Sequence, residues 1–350
     1  MSTRKYGGNE RGRFVDRIWY GESLWFLPLM PLSWLFALAT GVRRFFYRAG
    51  IFGSVDIGKP VIVVGNITSG GTGKTPVTLW LAARLREFGF QPGIVSRGYG
   101  GRAGDLPVEV TADSNSRVVG DEPLLMAKRR ICPVVVHPDR VAAGRKLAAS
   151  GCDVIIADDG LQHYRLKRRF EIAVVDGHRG LGNGHLLPAG PLREPASRLR
   201  SVDRIMLHGG NGANVDGGEL AGTDYSTFEL AASVVRDLQG TKEISLDAFR
   251  NNTVHAIAAI GHPQRFFQML EAQGVKVLPH AFPDHGMLAH ADLEFGDGLD
   301  VVMTEKDAVK IERPAPLHWW YVVVDLKLRD SASPDWLRAL ADELHRESAT

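Results

Sequence analysis

Residues 61–64 are four apolar residues, Val61-Ile62-Val63-Val64, and they run directly into Gly65-Asn66-Ile67-Thr68-Ser69-Gly70-Gly71-Thr72-Gly73-Lys74-Thr75 and then a helical pattern, PVTLWLAARLREFG. Strand, glycine loop, helix is the order a phosphate cradle requires, because successive backbone N–H groups turn inward and the helix N-terminus adds its dipole. Lys74 is placed to reach the β- and γ-phosphates of a nucleotide, and Thr75 to offer its hydroxyl to Mg²⁺. Thr68 stands where the strict pattern GxxxxGK[ST] has its first glycine. Gly70, Gly71 and Gly73 still permit close backbone approach, so residues Thr68, Ser69, Gly70, Gly71, Thr72, Gly73, Lys74 and Thr75 are the expected ATP site.

The rest of the chain repeats the strand and helix alternation. Short apolar runs at 60–65, 92–96, 132–137, 153–158, 171–176 and 203–208 are separated by crossover-length segments, which indicates a mostly parallel sheet covered by helices. A glycine-rich connection at 209–224 (GGNGANVDGGELAGTD) is too poor in side chains to pack and reads as a linker or exposed hairpin. A second α/β set follows at 254–261, 275–282, 299–307 and 319–326, with a helix-like PQRFFQMLEAQG at 263–274. The expected fold is therefore α/β: a P-loop NTPase-like, mostly parallel sheet at 51–208, a linker at 209–224, a second, smaller α/β domain at 225–350, and an N-terminal apolar segment at 1–50. The 350 residues are 44% hydrophobic, enough for a sizeable core. Forty-two Lys and Arg against 40 Asp and Glu leave a net charge of +2, which gives no sequence-wide reason to expect a nucleic-acid partner. Cys132 and Cys152 lack any metal-ligand spacing and read as buried thiols in a reducing compartment.

The N-terminal segment departs from this pattern. Nineteen residues at 24–42 carry no charge, nearly the length that crosses the roughly 30 Å of bilayer hydrocarbon. Pro28 and Pro31 weaken the case for a clean span, since each removes a backbone donor where lipid offers no replacement. No cleavage site follows; instead come Arg43, Arg44 and Arg48, interleaved with Phe45, Phe46 and Tyr47. Eight Lys and Arg against three acids in residues 1–50, beside Trp19, Trp25 and Trp34, suit an anionic membrane surface. A core helix, a one-sided insertion and a full span all remain open at this level.

The run Val154-Ile155-Ile156-Ala157 ends in Asp158-Asp159, carboxylates at a strand's carboxyl edge where a Mg²⁺ bound to phosphates would sit. Seven segments then fall in order: GNITSGGTGKTP (65–76), SRGYGG (96–101), VGDEP (119–123), ADDGLQH (157–163), GNGHLLPAGPLREP (182–195), FPDH (282–285) and TEKDAVK (304–310). Together they resemble the tetraacyldisaccharide 4′-kinase family, the lipid A 4′-kinases. That resemblance implies Mg²⁺-dependent transfer of the ATP γ-phosphate to the 4′-hydroxyl of a tetraacylated disaccharide 1-phosphate at the cytoplasmic face of the bacterial inner membrane. It makes Asp121, on a polar loop, the candidate base, and His285 the residue that orients or tunes it. In this chain Gly286, Met287 and Leu288 follow FPDH, where the family often has another His or an aromatic.

Other polar residues are expected to meet the acceptor and the charge of the transition state. Arg97, Tyr99, Gln162 and Arg193 lie in turns defined by Gly and Pro neighbours. His163 opens a basic run, 163–169, that reads either as a phosphate or headgroup contact or as a solvated turn. Glu305, Lys306 and Asp307 end a strand of the second set and read equally as nucleotide contacts or interface residues. Four acyl chains hold the acceptor in a bilayer, at about 0.8 kcal/mol per buried CH₂, so the enzyme has to visit the membrane. No obligate protein partner is implied. A soluble P-loop kinase or ligase for a small acceptor, and a non-enzymatic nucleotide switch at the membrane, are the competing readings.

Overall fold

The computed structural model describes residues 10–101, 104–210, 223–284, 286, 288–311, 314–329 and 335–348. The chain opens with helix α1 (Glu10–Tyr20), a 3₁₀ turn at Leu24–Leu29 and helix α2 (Met30–Arg48). The two prolines fall where they cost least: Pro28 lies inside the 3₁₀ turn and Pro31 in the first turn of α2, where no intrahelical donor is lost. The uncharged stretch is thus a turn followed by a helix.

Next come β1 (Val61–Gly65), α3 (Lys74–Glu87), β2 (Pro92–Ser96), β3 (Val108–Val110), α4 (Ser116–Val119), α5 (Asp121–Lys128), β4 (Val134–Val136), α6 (Arg140–Ala149), β5 (Val154–Asp158), β6 (Phe170–Asp176) and β7 (Arg204–His208). After the glycine-rich connection, of which 211–222 lie outside the described residues, follow β8 (Tyr225–Asp237), β9 (Glu243–Ser245), β10 (Thr253–Ala258), α7 (Pro263–Ala272), β11 (Lys276–Ala281), α8 (His290–Leu293), β12 (Val301–Thr304), α9 (Glu305–Ala308), β13 (Trp319–Leu328) and α10 (Asp335–Ser348).

The described strands form one continuous sheet in the order β11-β10-β12-β13-β8-β7-β6-β1-β5-β2-β4-β3, with β9 paired to β8. β1, β2 and β5 are buried throughout, as central parallel strands must be. One face is covered by α3, α5 and α10 through Leu81, Leu85, Leu124, Leu337 and Leu340; α6 and the 196–201 turn cover the other through Val141, Leu147 and Leu199. The C-terminal helix α10 therefore returns to pack on the first half of the sheet.

The strand β8, not distinguished in the sequence, joins the halves. Its start runs parallel to β7, with His208 opposite Phe228, while Phe228 to Asp237 pair antiparallel with β13. Because β12 lies parallel to β13, with Thr304 opposite Val322 and Val322 opposite Val235, the carboxyl ends of β12 and of β7 point toward each other. The steps from Phe228 to Val235, at about 3.3 Å each, separate these edges by roughly 23 Å. The loops that follow the strands of both halves fill that space, so residues as far apart in sequence as Glu122 and Lys306, 184 positions, meet at one cleft.

Candidate active site

The phosphate loop lies where chain order reverses, since β1 is flanked by β5 on one side and β6 on the other. Gly70 at φ 113° and Gly73 at φ 92° occupy backbone regions that side chains rarely adopt. Space gives a second reason at Gly73, where a Cβ would sit 3.4 Å from both His208 and Phe228. Hydrogen bonds fix the loop's base: Ser69 N donates to Pro191 O at 2.7 Å, Arg193 N to Ile67 O at 2.7 Å, and Gln162 Nε2 to Asn66 O at 3.1 Å. Thr72 Oγ1 is buried there without a partner among the described residues, a hydroxyl able to donate to an oxygen-rich ligand.

At the end of β5 the two aspartates differ. Asp159 adopts φ 47°, which turns its side chain toward the loop; Lys74 Nζ lies 3.5 Å from Oδ1 and Arg193 3.3 Å from Oδ2. Burial would raise its carboxyl, but Lys74, Arg193 and Arg140 outweigh that and hold it below the usual range. Asp158 is fully buried, and among the described residues its carboxyl accepts only from the hydroxyls of Thr78 and Ser96, both at 3.3 Å. Burial, with Glu122 and Asp159 nearby, pushes its carboxyl up to about 7. Arg140, buried at the start of α6, donates to the backbone oxygens of Asp158 and Asp159 at 2.8 and 2.9 Å and so fixes the strand end.

Asp121 is the first residue of α5, not a loop residue. Gly120, its N-cap at φ 90°, lets the helix start press on the SRGYGG turn; a Cβ there would lie 2.7 Å from Tyr99 O. Tyr99 and Arg97 are exposed on that turn, beside the cleft mouth. From the second half, Lys306 in α9 reaches Glu122 at 3.0 Å. Burial would lower its ammonium, yet Glu122, Asp284 and Asp121 together raise it. The DEP and FPD segments are thus brought together through one lysine; His285 lies outside the described residues. Further ties cross the cleft: Arg129 to Glu305 at 2.6 Å and Arg265 to Asp176 at 2.7 Å.

Not every candidate points into the cleft. In the basic run, Arg165 pairs with Asp139, Lys167 with Asp56, Arg168 with Glu171 and Arg169 with Glu347. These partners make the run a structural turn. His163 is driven down to about 4, chiefly by burial, so it stays neutral and offers a phosphate no charge. Gln162 Nε2 donates to Glu194 Oε1 at 2.7 Å while Tyr164 donates to the other oxygen, Oε2, so Gln162 steadies the loop from beneath.

A family model described as tetraacyldisaccharide-1-P 4′-kinase matches residues 25–343. The chain belongs to that family. The tetraacyldisaccharide 4′-kinase of Alkalilimnicola ehrlichii is 48% identical over 317 residues, covering 91% of this chain and 93% of the relative. That of Methylobacillus flagellatus is 43% identical over 343 residues, covering 97% and 99%. Among solved structures, the "apo" form of LpxK from Aquifex aeolicus in complex with ATP superposes with a TM-score of 0.75 at 27% identity, covering 92% of this chain and 99% of that one. The mostly parallel α/β fold expected from the sequence is therefore the fold of this kinase family.

The residues that sequence reasoning missed are Arg140, Glu122, Thr78 and Ser96. Ser96 and Thr78 carried one usable signal: Ser96 ends an otherwise apolar strand and Thr78 lies between the apolar Val77 and Leu79 of α3, positions where a polar side chain needs a buried partner. Arg140 had none, because an arginine opening a helix is ordinary.

Proposed function

We propose that this protein transfers the γ-phosphate of ATP to the 4′-hydroxyl of a tetraacyldisaccharide 1-phosphate, giving the 1,4′-bisphosphorylated lipid, at the cytoplasmic face of the inner membrane. The observation that carries this is the placement of Lys74, Asp158, Asp159 and Asp121 around one cleft whose neighbouring N-terminal face is apolar.

The residues fit a magnesium ion. Thr75, Asp158 and Asp159 supply hard oxygen donors, and Asp158 is buried near two other carboxylates with only hydroxyl donors on its own oxygens, an arrangement a divalent cation would relieve. Among the described residues no cluster of three or more His, Cys, Asp or Glu side chains can hold a metal alone, which is the usual case for an ion that keeps waters and phosphate oxygens as ligands. When bound, Mg²⁺ would neutralise charge on the β- and γ-phosphates.

The chain's own groups do the rest. Lys74 leaves Asp159 to engage the β- and γ-phosphates, the loop N–H groups cradle the triphosphate, and Arg193 fixes Asp159 in its left-handed turn. Asp121, at the helix start, accepts the proton of the 4′-hydroxyl as the oxygen attacks. Lys306, paired with Glu122, places its ammonium in the field of Asp121; by the family resemblance His285 orients that carboxylate. Arg97 and Tyr99 line the mouth where the disaccharide enters.

The membrane visit uses α2. Leu35, Leu38, Val42 and Phe45, spaced by three, four and three residues, form one outward stripe and are all exposed, with Leu24, Trp25 and Trp34 beside them. The opposite side is tied to the kinase body: Ser33 Oγ donates to Leu186 O at 2.8 Å, Phe26 stacks on His185 at 4.9 Å, and Arg44 reaches Ser201 at 3.3 Å. The segment Leu24–Arg48, the turn and α2 together, is long and apolar enough to cross a membrane. Fastened at both ends to one side of the protein, it instead lies along the bilayer surface with its stripe immersed.

The test is mass spectrometry of the purified full-length protein with ATP, Mg²⁺ and an acylated disaccharide 1-phosphate. One added phosphate on the acceptor is expected, and its absence overturns the reading. Asp121→Ala is expected to abolish transfer while ATP binding persists.

A further inference from the structure

Arg179, in DGHRGLGNG after β6, belongs to none of the motifs considered above, yet it faces the phosphate loop. The chain turns there because Asp176, the last residue of β6, accepts from His178 N at 3.0 Å and Arg179 N at 3.2 Å. The Arg179 guanidinium then lies 3.6 Å from the centroid of the Tyr20 ring, pairs with Asp16 and contacts His262 Nε2. Helix α1, the β6 turn and the start of α7 thus all hold one guanidinium. A Cβ built on Gly70 would sit 3.8 Å from Arg179 Nη1, an ordinary contact distance, so the bare glycine leaves that much room between the cradle and the cation.

Position within the cradle decides what this cation meets. Lys74 and Thr75 leave from the helix end of the loop, and Lys74 and Arg193 both converge on Asp159. Gly70 lies at the other end, on the rim past which a terminal phosphate reached by Lys74 extends toward the acceptor. Arg179 is the cation placed on that rim. Its side chain is pre-oriented by a ring, a carboxylate and an imidazole, and each terminal nitrogen keeps a second N–H, beyond its bond to His262 or Asp16, for a phosphoryl oxygen.

We propose that Arg179 is a catalytic residue that contacts the phosphoryl group in transit, an arginine supplied by the kinase's own chain. The proposal rests on the phosphotransfer reading given above. In the step, the acceptor's 4′-oxygen forms a bond to the γ-phosphorus while the bond from that phosphorus to the β–γ bridging oxygen breaks. The hydroxyl proton goes to Asp121 and ADP departs with the electron pair. Arg179 exchanges no proton; it offsets the negative charge spread over the three equatorial oxygens.

The experiment compares wild type, Arg179→Ala and Arg179→Lys as full-length proteins in detergent micelles. It measures steady-state kinetics, affinity for ADP with aluminium fluoride and Mg²⁺, and the response to free guanidinium. Expected for Arg179→Ala are a fall in kcat of about 10³-fold, the low end for such arginines, a KM for ATP within about threefold of wild type, and an ADP–aluminium fluoride affinity reduced far more than that for ADP alone. Millimolar guanidinium should restore part of the rate. Arg179→Lys, which keeps the charge but not the planar fork, should remain well below wild type; it carries the test if the alanine variant does not fold.

Three results would overturn the proposal: an unchanged kcat; a lower kcat with ADP–aluminium fluoride affinity intact and no guanidinium response, which marks a structural role; or a raised KM seen only with acceptors that bear the 1-phosphate, which assigns Arg179 to that phosphate. A wild-type protein inert toward the acylated disaccharide overturns the kinase reading itself and this proposal with it.

Discussion

The strand β1 and the helix α2 are similarly apolar, and they meet opposite fates. Every residue of β1 is buried, whereas Ser33 is the one buried residue of α2. The difference lies in partners. β1 has β5 and β6 beside it and helices on both faces, while α2 has the protein on one side only. An apolar stripe left facing outward in an otherwise well-packed chain has its natural counterpart outside the chain, and we propose that for a kinase of an acylated acceptor that counterpart is lipid.

The sharpest way to break this contrast is to strike the loop and the stripe separately. Lys74→Ala is expected to lower transfer by about 10³-fold or more, because it removes the charge proposed to engage the β- and γ-phosphates; vesicle flotation should not change. Leu38→Glu should do the reverse, abolishing flotation with anionic vesicles while ATP binding is retained. If Lys74→Ala also freed the protein from vesicles, the two regions would not be separable. Stability measurements sharpen the same point. Leu81→Ala, in the core under β1, should cost about 2–5 kcal/mol in denaturant unfolding. Leu38→Ala should stay within about 0.5 kcal/mol, as at an exposed site.

How much was legible beforehand follows the same division. The loop and the acidic strand end were readable because backbone geometry demands glycine at Gly70 and Gly73, and a buried strand rarely ends in two carboxylates without cause. The joint at β8 was not: its residues, YSTFELAASVVRD, alternate too irregularly to announce a strand that pairs parallel on one side and antiparallel on the other. Without β8 the opposition of the two carboxyl edges could not be inferred, and neither could the pairing of Lys306 with Glu122. The basic run at 163–169 stayed open between two readings for a simpler reason. Charge in sequence says nothing about whether Asp56, Asp139, Glu171 and Glu347 lie within reach.

A smaller effect concerns pH. Asp158 is held up to about 7 by burial and its carboxylate neighbours. A carboxyl whose pKa is higher in the folded than in the unfolded state binds more protons when folded, so the ligand-free protein should lose stability as pH rises from about 4 to about 7. Metal binding requires the ionised form and releases the proton. Affinity for Mg²⁺ with ATP should therefore climb between about pH 6 and 8, by up to tenfold per unit at the acid end. Asp158→Asn should bind more weakly and flatten that slope, measured by calorimetry in buffers of different ionisation enthalpy. A slope that survives in the variant would move the titration to another group.

The smallest expected effect tests the edge of the stripe. Arg43 and Arg48 are exposed at the end of α2, where the apolar face gives way to charge. Arg43 also lies over the Tyr164 ring at 5.8 Å, so its loss mixes packing with charge, whereas Arg48 makes no such contact among the described residues. Arg48→Ala should therefore weaken partitioning onto anionic vesicles by about 1 kcal/mol, roughly fivefold, and leave binding to neutral vesicles unchanged. The difference should vanish in high salt, where the screening length falls to about 3 Å at 1 M. Equal loss on neutral vesicles would mean that Arg48 acts by shaping the helix end, and the division into an immersed apolar stripe and a basic margin at the headgroups would have to be redrawn.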